Sequence, residues 1–154
     1  MTSGIEYLKS KNISWFPVYM DIEDGEKKLK PYPDGSMPNY AKDFDKQELI
    51  KYRQETYKTK NIWIDTKDVA HLDIDTPEAH EKSKQLQETL PYFNSVRKGL
   101  PHYFTFLKHK ELHKKRIQLP EFDDGMELLN GQVSYAAYDF QVYNADKELK
   151  EMNI

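Results

Sequence analysis

Residues 69–75 read VAHLDID. Apolar and polar letters alternate, which is the period of an extended strand whose successive side chains point to opposite faces. Ala70, Leu72 and Ile74 fall on one face, and Val69, His71, Asp73 and Asp75 on the other. Two carboxylates two positions apart therefore share a face at close range. Like charges that near repel, and a cation relieves them. Mg²⁺ or Mn²⁺ suits the task, because either takes carboxylate oxygens and keeps waters for phosphate. The bland alternative is a strand end with two solvated acids. Three features weigh against it. The residues before the acids are apolar, so the strand is expected to be buried. The acids sit at its C-terminal end, where open sheets tend to place ligands. A third acid, Glu127, is embedded in an apolar run with Met126, Leu128 and Leu129.

Working outward, residues 61–65 (NIWID) form a second short alternating strand. Thr76-Pro77-Glu78 starts a helix, with a capping hydroxyl, a proline at the first helical position and an acid in the first turn. That helix is expected to run to about Leu90, before Pro91. Residues 102–107 (HYFTFL) read as another strand. Residues 126–129 and 132–137 flank Asn130-Gly131, a two-residue turn sequence, so a hairpin is expected there. Near the N-terminus, Ser3 can cap a short helix with Ile5 and Leu8 inward. Residues 13–20 (ISWFPVYM) are β-prone, and Pro17 implies an edge strand or a bend. Residues 23–35 read as a charged turn region. Asp45 with Glu48 resembles a capping box, opening a helix to about Tyr57 that buries Leu49, Ile50, the stem of Arg53 and Tyr57. This order indicates an α+β domain, a mixed sheet with helices on one face.

Composition narrows the function classes. The 154 residues suit one domain, and 13% aromatic content argues against disorder. Cysteine is absent, which excludes disulfides, cysteine-based zinc sites and thiol nucleophiles. No apolar run approaches the roughly 20 residues of a membrane helix. No charged-then-apolar leader opens the chain, so an intracellular rather than secreted protein is expected. A formal net charge of -3 excludes a globally basic nucleic-acid coat, though not a local basic groove. Residues 108–116 (KHKELHKKR) and 121–127 (EFDDGME) are opposed charge blocks, read as solvated loops or a helix face. A minority reading has the basic block touching template or primer phosphates. His109 and His113 have helical ligand spacing, but no acid or cysteine completes a set. His71 reads as structural, or as a neighbour of the metal site.

Residues 95–104 read SVRKGLPHYF. His102 at the head of an aromatic strand fits a hydrogen-bonded core histidine. The loop before it favours a second role. Ser95, Arg97, Lys98 and Gly99 combine a hydroxyl, two cations and a flexible backbone, which suits a triphosphate. Set opposite a carboxylate cluster, such a loop has the layout of phosphoryl transfer.

Four stretches in order carry a resemblance. They are ISWFPVY followed by KKLKP, then NIWIDTKDVAHLDID, then PYFNSVRKGLPHYF, then GMELLNGQVSYAA. Together they resemble the archaeo-eukaryotic primase superfamily, specifically the primase-polymerase domain fused to helicases in large DNA viruses and their mobile elements. The match covers residues 13–137. It implies a single catalytic domain over 1–154, with a small N-terminal αβ unit (1–60) beside an RNA-recognition-motif-like metal-binding sheet (61–140). It implies Asp73, Asp75 and Glu127 as catalytic ligands of Mg²⁺ or Mn²⁺, although Asp is commoner than Glu at the third position. His102 would bind the incoming nucleotide, with Ser95, Arg97 and Lys98 on its triphosphate or on the template, and Lys30 would contact nucleic acid weakly. The implied reaction is template-directed nucleotidyl transfer in DNA replication. Its partners would be nucleoside triphosphates, a single-stranded DNA template and primer, and a replicative helicase, in the cytoplasm or nucleus of an infected host, with no membrane. Neither the usual fused helicase nor an accessory primase domain is expected within these 154 residues, which fits an excised domain, a free-standing enzyme or a remnant. Two rivals share the residues: a metal-dependent nuclease, and a non-catalytic single-stranded nucleic-acid-binding module using its Tyr and Phe for base stacking.

Overall fold

The structure, a computed structural model, describes residues 1–95, 98–107, 115–118 (backbone) and 125–152. In chain order the elements are β1 (Thr2–Ser3), α1 (Gly4–Ser10), β2 (Trp15–Glu23), β3 (Glu26–Lys30), α2 (Tyr40–Asp43), α3 (Gln47–Tyr57), β4 (Asn61–Asp65) and β5 (Ala70–Ile74). Then come α4 (Pro77–Lys82), a 3-10 turn (Lys84–Glu88), β6 (Tyr92–Asn94), β7 (Pro101–Leu107), β8 (Lys115–Gln118), β9 (Met126–Asn130), β10 (Val133–Ala137), β11 (Gln141–Val142) and β12 (Glu151–Met152). The protein is α+β. One sheet has the order β10-β4-β2-β3, and a six-stranded sheet has the order β12-β7-β5-β9-β8, with β6 also on β7. Its pairings are antiparallel except β12 with β7, which makes it mixed. The third pair is β1 with β11.

Two Asx-Gly dipeptides behave differently from each other, and not as expected. Asp24 (φ 52) and Gly25 (φ 78) both take positive φ and join β2 to β3, the geometry of a type I′ hairpin. The stretch 23–35, read as a turn region, thus contains a strand. Asn130-Gly131 makes no hairpin. Gly131 has φ 83, but Asn130 is not among the positive-φ residues. The Asn130 amide instead donates to the Thr66 carbonyl at 2.8 Å, as does the Gly131 N–H at 3.1 Å. The chain passes straight on, so β9 pairs with β5 while β10 pairs with β4. The β4–β5 and β9–β10 segments therefore cross between the sheets side by side. From Asp65 to His71 one chain takes six steps while its partner takes four, from Val133 to Leu129. The surplus is taken up around Thr66, whose hydroxyl donates to the Gln132 carbonyl.

The alternation of residues 69–75 holds. Ala70, Leu72 and Ile74 pack with Ala79, Leu90, Tyr103, Met126 and Leu128, under α4 and the 3-10 turn. Val69 joins the other core, with Tyr7 and Leu8 of α1, Ile62 and Ile64 of β4, Phe93 and Phe104. Thr76 caps α4, its hydroxyl accepting from the Ala79 N–H at 3.1 Å. The helix stops at Ser83, whose hydroxyl bonds back to the Ala79 carbonyl at 2.8 Å, and a 3-10 turn continues it. Pro17 lies where β2 has β4 on one side only, since pairing with β3 begins at Tyr19. The missing N–H therefore costs no ladder bond on the open side.

Two expected caps are not made. Ser3 belongs to β1 and its side chain caps nothing. The chain enters α1 through Gly4, whose N–H donates to the Phe140 carbonyl at 2.7 Å and whose missing Cβ leaves room for the Phe140 ring. α3 begins at Gln47 with Lys46 at the cap position, so Asp45 lies one residue too early. A separate short helix capped by Asn39 precedes it and ends at Asp43. Asp43 is 8% exposed and anchors α3 through Arg53 at 3.1 Å. No helix among the described residues is long and apolar enough to cross a membrane.

Candidate metal centre

Strand register builds the site. On β5, Asp73 stands directly opposite His102 of β7 on one side and Glu127 of β9 on the other. Directly opposed residues project to the same face, with Cβ atoms roughly 4.5–5.5 Å apart. The ladder runs one step past Ile74, because the Asp75 N–H donates to the Gly125 carbonyl at 2.7 Å. That step returns Asp75 to the face of Asp73. Gly125 is required there, because a Cβ would collide with the Thr76 hydroxyl and the Ala79 methyl. Asp73, Asp75 and Glu127 each offer a carboxylate oxygen within 4.8 Å of the others, and all three are half-buried. Three hard oxygen donors gathered out of bulk water can hold a metal ion, and their mutual repulsion is relieved by one.

His102 closes the row. Its Nε2 lies 3.1 Å from Asp73 Oδ1, its Nδ1 lies 3.5 Å from the Ser134 hydroxyl, and its ring stacks on Phe93. The ring is 5% exposed. Burial first, then the Lys27 ammonium, hold its pKa down to about 4 against the pull of Asp75. A neutral ring with the proton on Nε2 donates to Asp73 and accepts from Ser134 at Nδ1. His71, one strand step behind on the same face, is fully buried between Phe93, Phe104 and His102. Neither of its ring nitrogens has a hydrogen-bond partner among the described residues. Burial pushes its pKa well below 6.5, so it is neutral. It acts in packing against these rings.

The loop 95–100 joins β6 to β7, a hairpin in which the sequence reading lacked the first strand. The Ser95 N–H donates to the Leu100 carbonyl at 2.8 Å, and Gly99 takes φ 67. The Lys98 ammonium donates to the Asp75 carbonyl at 3.1 Å. Ser95, Lys98 and His102 thus line one cleft with Asp73 and Asp75. Arg97, the blocks at 108–114 and 121–124, His109 and His113 lie outside the described residues.

Lys30 is not brought to this cleft. Its ammonium pairs with Glu23 at 2.6 Å on the exposed β2–β3 hairpin. Lys27 comes instead, with Met20 and Ile22 beside it and its ammonium 4.7 Å over the Tyr135 ring. The signal for it was legible. An Asp-Gly type I′ turn pairs Ile22 with Lys27 and Met20 with Leu29, which puts Lys27 on the Met20 and Ile22 face, while Lys30 lies opposite Tyr19 on the other.

No protein-family model matches the chain, and a search of curated proteins finds no match either. What the cleft can do rests on its own geometry. It has an acidic floor fixed by pairing in the six-stranded sheet, and cations on two hairpins that overhang it.

Proposed function

We propose that this domain is a divalent-metal-dependent nucleotidyltransferase, a DNA primase/polymerase catalytic domain of the archaeo-eukaryotic primase type. The observation that carries the reading is the convergence of Asp73, Asp75 and Glu127 within 4.8 Å, on the face where His102, Ser95 and Lys98 stand. The four motifs of the resemblance meet in one cleft, and the α+β class is compatible with it. Asp73, Asp75 and Glu127 hold Mg²⁺ or Mn²⁺, which when bound supplies charge stabilisation for the attacking 3′-oxygen and the departing diphosphate. Ser95 and Lys98 hold the triphosphate of the incoming nucleotide, with Arg97 on the same loop. Lys27 adds a second positive wall. His102 keeps Asp73 oriented through Nε2. A single-stranded DNA template, a primer and nucleoside triphosphates are the partners of this reaction, and a replicative helicase would be a further one.

The test is extension of a labelled primer on single-stranded DNA with nucleoside triphosphates and Mg²⁺ or Mn²⁺. Wild-type protein lengthens the primer, and chelation by EDTA or Asp75→Ala abolishes it while the fold melts as before. Shortened products would replace the polymerase with a nuclease. Unchanged primer, with tight metal-independent strand binding, would leave a binding module.

A further inference from the structure

A second concavity lies where α3 ends and β4 begins. It encloses about 660 Å³ and is lined by Gln54, Lys58, Lys60, Asn61 and Tyr138 among others. Small-molecule sites span roughly 300–1,000 Å³ and combine an apolar wall with a few placed polar groups. Here the wall is aromatic. Tyr138 is 37% exposed and its ring leans on Trp15 at 5.9 Å, so one face of it stays in solvent. The cations are Lys58 and Lys60. Both are exposed, and neither forms an ion pair among the described residues. Asp139, also exposed, is the one acid among the lining residues and leaves an excess of one positive charge.

The lysines sit on a backbone held in place. Lys58 takes the left-handed conformation, φ 49, which costs a non-glycine residue energy and persists only where neighbours enforce it. They do so here. The Lys58 N–H donates to the Gln54 carbonyl at 2.9 Å, and the Gln54 amide donates to the Thr59 carbonyl at 3.3 Å. The Thr59 hydroxyl lies 2.9 Å from Gln54 Oε1 and 3.1 Å from the Asn61 carbonyl. The Tyr138 N–H donates to the Lys60 carbonyl at 2.8 Å, which ties the lysine strap to the aromatic wall. Tyr138 follows Tyr135 of the acidic cleft by three residues, roughly 10 Å at strand rise.

We propose that this groove is a second binding site that takes one nucleotide unit, its base against Tyr138 and its phosphate between Lys58 and Lys60. An exposed aromatic face beside unpaired ammonium groups is the chemistry that receives stacked bases and their backbone. The unit comes either from a single strand or from a free nucleotide. The site goes beyond the catalytic reading and stands without it, since no acid of the metal centre takes part.

The test is binding in EDTA, which silences the metal centre, so that failure here and failure of primer synthesis are read separately. One arm measures fluorescence anisotropy of a fluorescein-labelled oligothymidylate, and the other measures calorimetric binding of ATP. Tyr138→Ala weakens binding about 5-fold or more. Lys58→Glu with Lys60→Glu weakens it similarly, and flattens the dependence of log affinity on log salt for the oligonucleotide by about 1.4. Circular dichroism checks that both variants fold. Loss confined to the oligonucleotide arm assigns the site to a strand, and loss confined to the ATP arm assigns it to a free nucleotide. Wild-type-like binding of both ligands by both variants, or no binding of either ligand to wild type at millimolar concentration, overturns the proposal.

Discussion

The floor of the cleft and its overhang are built in opposite ways. The floor acids come from β5 and β9, far apart in sequence, and are aligned by a buried ladder between two cores. The overhanging cations, Lys27 and Lys98, are both exposed and ride on hairpins. The difference follows from what each group must do. A metal ion demands oxygens in fixed positions at short range, which only a packed sheet guarantees. A polyanion is attracted over a Debye length, about 8 Å at physiological salt, and tolerates a cation on a movable support. Mutations should therefore divide by wall.

The largest expected effect is on the floor. Asp73→Asn is expected to lower primer extension by about 1,000-fold or more, several kcal/mol of barrier, while the thermal midpoint stays or rises because a like charge is gone. A melt and an extension assay on the same sample check it, and a fall in both would make Asp73 a structural acid. Next, Leu128→Ala empties a fully buried site beneath the floor. It should cost about 2–5 kcal/mol in chemical denaturation, with activity falling alongside.

Protons probe the floor from another side. His102 is neutral in the fold with its pKa at about 4, against about 6.5 when unfolded. Between those values the unfolded chain binds more protons, so stability is full above pH 6.5 and declines as pH falls toward 4. The loss at pH 5 relative to pH 8 is about 2 kcal/mol from this ring. His71 adds to it in the same direction. Urea midpoints across that range should show the decline, and His71→Phe should make it shallower.

The overhang gives the smallest effects. Lys27→Ala or Lys98→Ala should cut extension about 10-fold, chiefly through weaker nucleotide binding, and leave the melt unchanged. Lys30→Ala should change neither activity nor melting, since Lys30 faces away with Glu23. Equal losses for Lys27 and Lys30 would dissolve the distinction between the two walls.

Much of the floor was legible in the chain. The alternation of residues 69–75, the Thr76 cap and an acid set in the apolar run around Glu127 each state a local rule, and the structure keeps all three. What stayed hidden depended on partners far along the chain. Asn130-Gly131 carries turn chemistry, yet the Thr66 carbonyl claims the asparagine amide, and β4 rather than β9 receives β10. Asp24-Gly25 has the same chemistry without such a competitor, and it folds back on itself. Composition there, dense in lysine and glutamate, masked a strand. Lys27 was missed with it, because only the hairpin register separates it from Lys30.

The paired crossing at Thr66 has a mechanical corollary. Two backbones pass between the sheets at one level, joined by the Thr66 hydroxyl to Gln132 and by the Asn130 and Gly131 N–H groups to Thr66. A single strand there would act as a swivel; a cross-linked pair resists torsion and leaves bending as the softer mode. The joint therefore holds the sheet that carries Lys27 in register with the strands that carry the carboxylates, and the core that Ile62 and Ile64 share with Phe93 and Phe104 braces it from one side.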